Sequence, residues 1–312
     1  MIMAPEFTFS FPRYLSSKKT VDDRALNRVV IERFKTELHN INDDYPRILE
    51  IGAGIGSMID RLVDWDILKK AHYVALDSMD ENIIAARKRL LDWAKSSHFD
   101  VLEKSGSAMT IQSDSGIDLQ VDLITGDVFD FIETLGGKTD YDVLLSNAFL
   151  DLIDMDTQLA SILGLLKSGG LYYFTINFDG STVFQPEIDG ELDDRIESLY
   201  HQTMDDRITN GRKSGDSRAG RHLFNNLLSS NCTVLEAGSS DWIVAPVESR
   251  YRHDEKYFLR FIVETVGSAL KDNPKISQAE LNHWLEIRRN QIDRNELFYM
   301  AHQLDYVGRK RG

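Results

Sequence analysis

Short apolar runs alternate with amphipathic helical patterns through the middle of the chain. The apolar runs fall at residues 47–51, 72–77, 121–129, 141–149 and 171–176. Continuous apolar runs are typical of strands that are covered on both faces, and apolar residues at helical spacing between them are typical of helices packed on a sheet. Five such βα units in succession predict an α/β fold with a doubly wound, mostly parallel sheet.

The segments around these units have other patterns. One helical pattern runs over residues 20–38, and an irregular aromatic stretch at 5–15 precedes it, which we expect to pack over another part of the chain. Residues 98–120 contain two short apolar runs separated by Ser-Gly turns, which predict a β-hairpin insertion. The charged stretch 187–212 has apolar residues at helical spacing and predicts a helical insertion.

These patterns divide the chain into four segments. Residues 1–45 form an N-terminal segment with a helix, 46–177 an α/β core, 178–216 a helical insertion, and 217–312 the rest of the sheet with two helices and a last strand. A chain of 312 residues exceeds the usual domain size, which fits one full core with an insertion. Insertions beside strand ends often cover ligand sites, so we expect 178–216 to select the substrate.

The charge and cysteine content exclude several classes of function. A net charge of -14 and a pI near 5.0 argue against a general binder of phosphate backbones, so we expect no nucleic-acid partner. The single cysteine, Cys232, cannot form an internal disulfide, and no Cys/His cluster indicates a metal site. No apolar run approaches membrane-spanning length. We therefore expect a cytoplasmic protein without a membrane or metal partner, and a homodimer is left open.

Three glycines at alternate positions follow the first apolar run. Gly52, Gly54 and Gly56 give the spacing GxGxG, and Glu50 stands two residues ahead. Glycine has no Cβ, so the chain can adopt φ > 0 there and a ligand can lie against the backbone. Ser57 stands where a dinucleotide fingerprint would have its third glycine. The stretch predicts a first strand that turns into a ligand loop.

An acidic residue closes the second apolar run. Asp77 lies about 20 residues beyond the glycine loop, where a carboxylate can accept two hydrogen bonds from a ribose diol. More than one nucleoside cofactor carries such a ribose. Asp77 therefore predicts a nucleoside without identifying it.

Residues 47–56 and Asp77 together resemble the class I S-adenosylmethionine (SAM) dependent methyltransferases. The resemblance is close over residues 47–176 and holds only by pattern over 214–308. It implies a Rossmann-like sheet of seven strands, in which residues 297–308 form an antiparallel last strand between the fifth and sixth. It also implies SAM as the cofactor, an N-terminal helical lid over the SAM pocket, and a small-molecule methyl acceptor.

The resemblance further implies which residues contact SAM. Asp127, after the third strand, stands at the adenine-binding position, and Ser146 and Asn147, after the fourth, stand near the methionine end. The alternative interpretation is that Asp127 only caps the next helix. The residues expected to bind the cofactor are Glu50, Gly52, Ala53, Gly54, Gly56, Asp77, Ser78, Asp127, Val128, Ser146 and Asn147.

The sequence contains fewer features that indicate how the methyl acceptor is bound. SAM carries an activated methyl group, so the protein has mainly to orient the acceptor and exclude water, and a base is needed only when the acceptor would stay protonated. Asp151 stands where the family often has a histidine. The catalytic candidates are Asp151, His201 and His222, with Asp179, Arg218 and Arg221 as further anchors for an acceptor. The two histidines could equally be packed or surface residues.

We expect methyl transfer to an O or N atom of a small molecule by in-line displacement. A binding or regulatory protein of the same fold would bind SAM without turnover. An aminopropyltransferase is expected to carry an acid where Ser146 and Asn147 stand. An NAD-dependent dehydrogenase would not have the GxGxG spacing or the last strand. Titration with SAM, S-adenosylhomocysteine (SAH) and NAD separates the cofactor classes.

Overall fold

A computed structural model describes residues 9–104, 107–138, 140–209 and 211–312. Its α-helices are α1 (Phe11–Ala25), α2 (Arg28–His39), α3 (Ser57–Asp64), α4 (Asp80–Ser96), α5 (Val128–Leu135), α6 (Met155–Leu163), α7 (Gly190–Asp205), α8 (Ala219–Ser229), α9 (Glu255–Leu270) and α10 (Gln278–Asp293). Its strands are β1 (Arg47–Ile51), β2 (Lys70–Asp77), β3 (Asp100–Glu103), β4 (Ala108–Gln112), β5 (Asp118–Thr125), β6 (Tyr141–Asn147), β7 (Leu166–Gln185), β8 (Ile208–Thr209), β9 (Arg212–Lys213), β10 (Cys232–Ser239), β11 (Trp242–Val244) and β12 (Phe298–Lys310). A 3₁₀ helix spans Leu150–Leu152. None of the helices described is both long and apolar enough to cross a bilayer.

One large sheet forms the centre of the molecule. Its strand order is β10-β12-β7-β6-β1-β2-β5-β4-β3, and β11 pairs with β12 beside this path. Strands β7, β6, β1, β2 and β5 are parallel, whereas β12 is antiparallel to both of its neighbours. The predicted α/β fold is confirmed, and so is the antiparallel last strand, which lies between β7 and β10.

The prediction of seven strands is wrong, because the large sheet has ten. The seven strands expected are all present, and β3, β4 and β11 are added. Residues 98–120 do form the predicted hairpin, but β4 also pairs antiparallel with β5. The pairing occupies the backbone N–H and C=O groups of β5, which would otherwise form an open edge.

Apolar side chains are buried on both faces of the sheet. In β1, Ile48 belongs to one cluster of buried residues, and Leu49 and Ile51 belong to the other. Helices α1–α4, α7, α9 and α10 cover the first face, and α5, α6 and α8 cover the second. Since successive side chains of a strand point to opposite faces, Glu50 points to the same face as Ile48.

The N-terminal segment has two helices, although the sequence predicted one continuous helix over 20–38. α1 begins at Phe11, inside the stretch expected to be irregular, and the chain turns before Asn27. The Asn27 side chain accepts hydrogen bonds from the backbone N–H groups of Val29 and Val30. This N-cap satisfies donors at the start of α2 and so favours a new helix over a continued one.

The helix α1 lies on α9 along most of its length. Residues 5–8 of the aromatic stretch lie outside the described residues. Phe9 contacts the ring of Phe261 at 5.0 Å, and Tyr14 stacks on the same ring at 3.9 Å between centroids. Near the other end, Arg24 forms an ion pair with α9. The predicted packing of the aromatic stretch is confirmed for the residues described.

The strand β7 continues well past its predicted end at residue 176. It reaches Gln185, and β12 pairs with it as far as Phe298. The α7 helix packs on this extension, where the Thr182 Oγ1 atom lies 3.0 Å from the His201 Nε2 atom. The segment 178–216 therefore begins as a strand, becomes helical in α7 and ends in the short β8–β9 hairpin.

Candidate functional site

The loops that follow β1, β2, β5 and β6 meet at one edge of the sheet, because parallel strands end on the same side. We call these loops, residues 52–56, 78–79, 126–127 and 148–149, the carboxyl edge. Backbone hydrogen bonds join the loops to neighbouring strands: Ala53 N donates to Leu76 O (3.0 Å), Gly126 N to Asp77 O (2.9 Å) and Ala148 N to Thr175 O (2.9 Å).

The glycine loop depends on left-handed backbone conformations. Gly52, Gly54 and Gly56 have φ of 67°, 55° and 68°. Residues with a Cβ adopt these backbone angles only at a cost in conformational free energy. The N–H of Gly54 donates to Asp77 Oδ2 at 2.8 Å, and the N–H of Gly56 donates to Ala53 O at 2.9 Å. The loop is thus held by its own hydrogen bonds and by the carboxylate of the next strand.

Two apolar side chains of this chain lie against the glycines. A Cβ added to Gly52 would lie 2.9 Å from Phe149 Cδ2, and one added to Gly54 would lie 2.9 Å from Leu15 Cδ1. Packing and φ both require glycine at position 52, whereas at position 54 the Leu15 methyl group could move and φ is the main requirement. Leu15 belongs to α1, so the N-terminal helix contacts the loop, and a lid or plain packing on the sheet both stay predictions for this segment.

Asp77 organises the carboxyl edge. Besides Gly54 N–H, its carboxylate accepts hydrogen bonds from Met79 N (2.9 Å) and Asn82 Nδ2 (3.0 Å), both at Oδ1. Asn82 is buried, and its Oδ1 has no hydrogen-bond partner among the described residues. A ribose diol would share the Asp77 oxygens with the loop. Sequence reasoning did not single out Asn82, although it stands on the first turn of the helix after Asp77.

Glu50 lies beneath the glycine loop and is almost fully buried. Its Oε2 accepts a hydrogen bond of 2.7 Å from the Tyr73 hydroxyl. Burial raises the pKa of Glu50 to about 7, against the opposing effects of the Tyr73 hydrogen bond and of Arg61. The carboxyl group supports the loop from below and does not line an open surface.

Asp127 and Ser78 belong to the loops that follow the neighbouring strands β5 and β2. Asp127 is exposed and caps α5, since its Oδ1 accepts from Phe129 N at 2.7 Å, and Val128 behind it is buried. Ser78 is exposed and does not cap α4: the N-cap is Met79, which makes no side-chain cap. Met79 is 37% exposed and gives this part of the edge an apolar surface that sequence reasoning missed.

Residues 146–149 form the end of β6 and the part of the edge that follows it. Ser146 is buried, and its Oγ has no hydrogen-bond partner among the described residues. Asn147 Oδ1 accepts from Thr175 Oγ1 at 3.1 Å. Ala148 has a left-handed φ of 53°, and the turn that it forms brings Phe149 onto Gly52. The turn places a buried hydroxyl and an apolar ring beside the glycine loop.

Asp151 lies in the 3₁₀ helix directly after this turn. Its carbonyl oxygen accepts hydrogen bonds from Arg207 Nη2 (3.2 Å) and Asp216 N (3.3 Å). Its carboxyl Oδ1 is buried and has no hydrogen-bond partner in the described part of the chain. Burial raises the pKa of Asp151 to about 6, although Arg207 and Lys18 lower it.

The two histidine candidates lie in different surroundings. His201 contacts Thr182 and the Phe178 ring (5.2 Å), and burial lowers its pKa. His222 has a side chain that is 52% exposed, and its Nδ1 lies 2.7 Å from Asp216 Oδ2. His222 lines a surface cavity of about 260 Å³ with Asp216. Asp216 links His222 to Asp151 through its backbone N–H, whereas His201 is held on the β7 extension.

Asp179, Arg218 and Arg221 do not present free groups to the carboxyl edge. Arg221 Nε donates to Asp179 Oδ1 at 2.8 Å, and Arg221 N donates to the same oxygen at 3.0 Å. Asp179 is buried and Arg218 is exposed on the first turn region of α8. Arg221 thus stabilises the start of α8.

Three tyrosines that the sequence did not indicate lie around Asp151. We call Tyr14 of α1, Tyr200 of α7 and Tyr299 of β12 the tyrosine cluster. Burial, and then the charge of Asp151, raises the pKa of Tyr200 to about 12. Burial is also the main cause of the raised pKa of Tyr14, followed by Tyr299, Asp22, Tyr200 and last Asp151. Burial and Tyr200 raise the pKa of Tyr299. Residues so far apart in sequence leave no motif that could have revealed the cluster.

Comparison with known proteins gives no family for this chain. No family model matches it, and no curated protein matches it. Solved structures do match over most of its length. A SAM-dependent methyltransferase from Thiobacillus denitrificans in complex with SAH has 12% identity over 97% of this chain and 100% of its own, with a TM-score of 0.46.

Two further matched structures are of the same kind. A SAM-dependent methyltransferase from Geobacter sulfurreducens in complex with SAH has 12% identity over 97% of this chain and 100% of its own, with a TM-score of 0.44. The mycolic acid cyclopropane synthase CmaA1, complexed with SAH, has 12% identity over 90% and 84%, with a TM-score of 0.42. At these TM-scores the similarity does not decide the activity of this chain. The activity has to be inferred from the residues of its own site.

Proposed function

We propose that this protein is a cytoplasmic SAM-dependent methyltransferase that transfers a methyl group to an O or N atom of a small-molecule acceptor. The observation that carries the proposal is the hydrogen bond from Gly54 N–H to Asp77 Oδ2, at 2.8 Å. In dinucleotide-binding folds, the N–H groups of such a loop and of the helix behind it hold a pyrophosphate. Here the Asp77 carboxylate already accepts a hydrogen bond from the glycine loop, so a cationic ligand is favoured over an anionic one.

The other charges at the carboxyl edge support a cationic donor. Asp77 and Asp127 come from the ends of two neighbouring strands, β2 and β5. SAM carries a sulfonium and a zwitterionic amino acid, so its net charge is positive, and opposite charges attract more strongly where water is excluded. The buried Asn82 Oδ1 and Ser146 Oγ, which have no partners among the described residues, are available to hydroxyl or ammonium groups. These residues fit SAM.

In this proposal residues 46–177 hold the cofactor and 178–216 cap the acceptor. The residues that would hold SAM are Asp77 and Asn82 at the ribose, Met79, Asp127 and Val128 at the adenine, and Ser146, Asn147 and the glycine-loop carbonyls at the amino acid. When bound, SAM supplies a methyl group activated by the sulfonium. The chain supplies orientation, and the apolar side chains of Leu15 and Phe149 exclude water beside the loop.

Asp151 is our first choice for a base among the three catalytic candidates, because its buried oxygen lacks a partner in the described residues and follows the turn at the cofactor loop. His201 and His222 stay candidates. Both have partners, Thr182 and Asp216, that occupy one ring nitrogen. Substitution of each residue by alanine, with methyl transfer as the readout, would rank the three.

Isothermal titration with SAM, SAH and NAD tests the proposal. We expect saturable binding of SAM and SAH and none of NAD. Binding of NAD together with no binding of SAM or SAH would overturn the assignment. SAM binding without turnover on any acceptor would favour the regulatory alternative.

A further inference from the structure

The segments that cover the glycine loop also surround Asp151. Phe149, which lies on Gly52, is two residues before Asp151 in the chain. Leu15, which lies on Gly54, is next to Tyr14 of the tyrosine cluster. Short chain segments therefore join Asp151 and the tyrosine cluster to the two residues that cover the glycine loop.

The tyrosine cluster is held by aromatic packing on α9 and β7. Tyr14 stacks on Phe258 at 5.9 Å, and Phe258 contacts Tyr299 at 5.9 Å. Phe184 of β7 contacts the other side of Tyr299 at 5.2 Å. Tyr14 and Tyr299 are both at least 91% buried, since their exposed fractions are 9% and 3%. The rings form an apolar wall with polar hydroxyl tips, which suits a small ligand that carries one charged group.

The cations near Asp151 lower the pKa of its carboxyl group, but none of the described residues forms an ion pair with it. Lys18 is buried and donates to Asp22 Oδ2 at 2.7 Å, so its charge is already paired. Arg207 donates to the carbonyl oxygens of Asp151 and Ser214. The Asp151 Oδ1 atom has no hydrogen-bond partner in the described part of the chain. The Asp151 backbone N–H already acts on the carboxyl group, so the open requirement concerns its Oδ1 atom. A buried carboxylate oxygen without a donor is costly, and an ammonium group supplies both the opposite charge and the donor.

We propose, resting on the proposed methyl transfer, that the acceptor is a small primary or secondary amine whose nitrogen binds Asp151 Oδ1 within the tyrosine cluster. The π-faces of aromatic rings attract ammonium groups, and the attraction is stronger when water is excluded. An anionic acceptor would meet the unpaired carboxylate. A neutral alcohol would satisfy the donor requirement but would leave the charge unpaired.

Asp151 also provides a place for the proton that the amine must lose. An ammonium nitrogen has no free electron pair, so one N–H bond has to break before the nitrogen can accept a methyl group. The proton passes to Asp151 Oδ1, the electron pair stays on nitrogen, and the carboxyl group later releases the proton to water. The raised pKa of Asp151 makes it a stronger base than an ordinary carboxylate. Lys18 and Arg207 lower this pKa, and Asp216 raises it.

Matched probes and matched variants test the proposal. Ligand-observed NMR of the SAH-saturated protein, and of the protein without SAH, would compare n-propylammonium with its neutral isostere n-propanol. Asp151→Asn removes the charge and keeps the shape. Asp156→Asn is the control, because Asp156 is an exposed carboxylate on the same segment. SAH formation from size-matched pools of amines, alcohols and phenols, and carboxylic acids would be measured in parallel.

We expect n-propylammonium to bind at least about tenfold more tightly than n-propanol, which corresponds to about 1.4 kcal/mol. Asp151→Asn should remove this preference and leave SAM affinity within about twofold, and Asp156→Asn should leave both unchanged. SAH formation from the amine pool should fall below about pH 6 with loss of the ionised carboxylate. Equal binding of the two probes, an unchanged preference in Asp151→Asn, or SAH from the alcohol or acid pools alone would overturn the inference. Absence of SAM and SAH binding would instead overturn the proposed function, and the probe titration without SAH would still decide on the amine site.

Discussion

The carboxyl edge and the tyrosine cluster are adjacent but are built in different ways. The carboxyl edge comes from successive βα units, and its central hydrogen bond joins Asp77 to Gly54, 23 residues apart. The tyrosine cluster joins α1, α7 and β12, from Tyr14 to Tyr299. The first depends on local backbone geometry, and the second depends on the complete tertiary structure.

The two regions also differ in how their carboxylates are satisfied. Asp77 accepts three hydrogen bonds within the chain, from Gly54, Met79 and Asn82. Asp151 has a buried oxygen with no partner among the described residues. A satisfied carboxylate fixes the shape of a site before a ligand arrives, whereas an unsatisfied one gains most of its stabilisation from the ligand. The comparison predicts that substitutions at the carboxyl edge change the conformation of the glycine loop. Substitutions at Asp151 should change only which ligand binds there.

The largest effect is expected from Asp77→Ala. The substitution removes two predicted ribose contacts and the partners of Gly54 and Met79. Hydrogen bonds to charged groups contribute about 1.5–3 kcal/mol each, so SAM affinity should fall by about 100-fold or more. Calorimetric titration measures the loss, and circular dichroism checks that the fold is retained. The control is Asp80→Ala, at a neighbouring exposed carboxylate, and equal affinities for wild type and Asp77→Ala would contradict the ribose assignment.

A second effect concerns the carboxyl group beneath the edge. The folded pKa of Glu50 is about 7 and its ordinary value is 4.5, so its favourable contribution to stability is complete below about pH 4.5 and is lost as the pH rises through 7. The loss amounts to about 3 kcal/mol. Glu50→Gln should remove this dependence. Urea unfolding at pH 5 and pH 8 measures it as the difference between variant and wild type, which cancels the contribution of other carboxyl groups such as Asp305. Parallel pH profiles for the two proteins would contradict the burial of an ionisable Glu50.

A smaller effect is expected from Asp127→Ala. The substitution removes the N-cap of α5, which costs about 1 kcal/mol, and the candidate adenine contact. SAM affinity should fall by about tenfold or less, because the exposed carboxylate competes with water. The control is Asp130→Ala, on the first turn of the same helix. If the unfolding free energy falls and SAM affinity does not, Asp127 is only a cap.

The smallest effect is expected from His222→Ala. This substitution tests whether the surface cavity that His222 lines belongs to the carboxyl edge or to the tyrosine cluster. The ring is half exposed, and exposed ion pairs contribute little. SAM affinity should stay within about twofold, and the unfolding free energy within about 0.5 kcal/mol. A large loss of methyl transfer with unchanged SAM affinity would instead make His222 a catalytic residue and weaken the case for Asp151.

The elements that the sequence predicted well are those with a local physical cause. The βα units follow from apolar runs that both faces bury, and the left-handed glycines at 52, 54 and 56 follow from the GxGxG spacing. Asp77 was placed at a strand end by its position after the second run. In each case the residues that interact are close in the chain, so the pattern contains the interaction.

The elements that the sequence predicted poorly depend on distant partners. The break between α1 and α2 lies within a continuous helical pattern, and Asn27 also binds Asp305 and Ser239 across the fold. The predicted β3–β4 hairpin becomes part of the large sheet because β4 pairs with the free edge of β5. The tyrosine cluster is brought together only when β12 pairs with β7 and α1 packs on α9. A single residue whose partners lie far away in the chain has no local sequence motif that would reveal its role.

The position of β12 has a consequence for how the molecule is made. Its neighbours β7 and β10 leave the ribosome first, but they cannot pair with each other across the gap that β12 fills. During synthesis both strands must expose unpaired backbone, which favours adhesion to other nascent chains. The slow, non-local closure by β12 should therefore set the folding rate, and shielding by a chaperone during that interval should raise the yield of native protein.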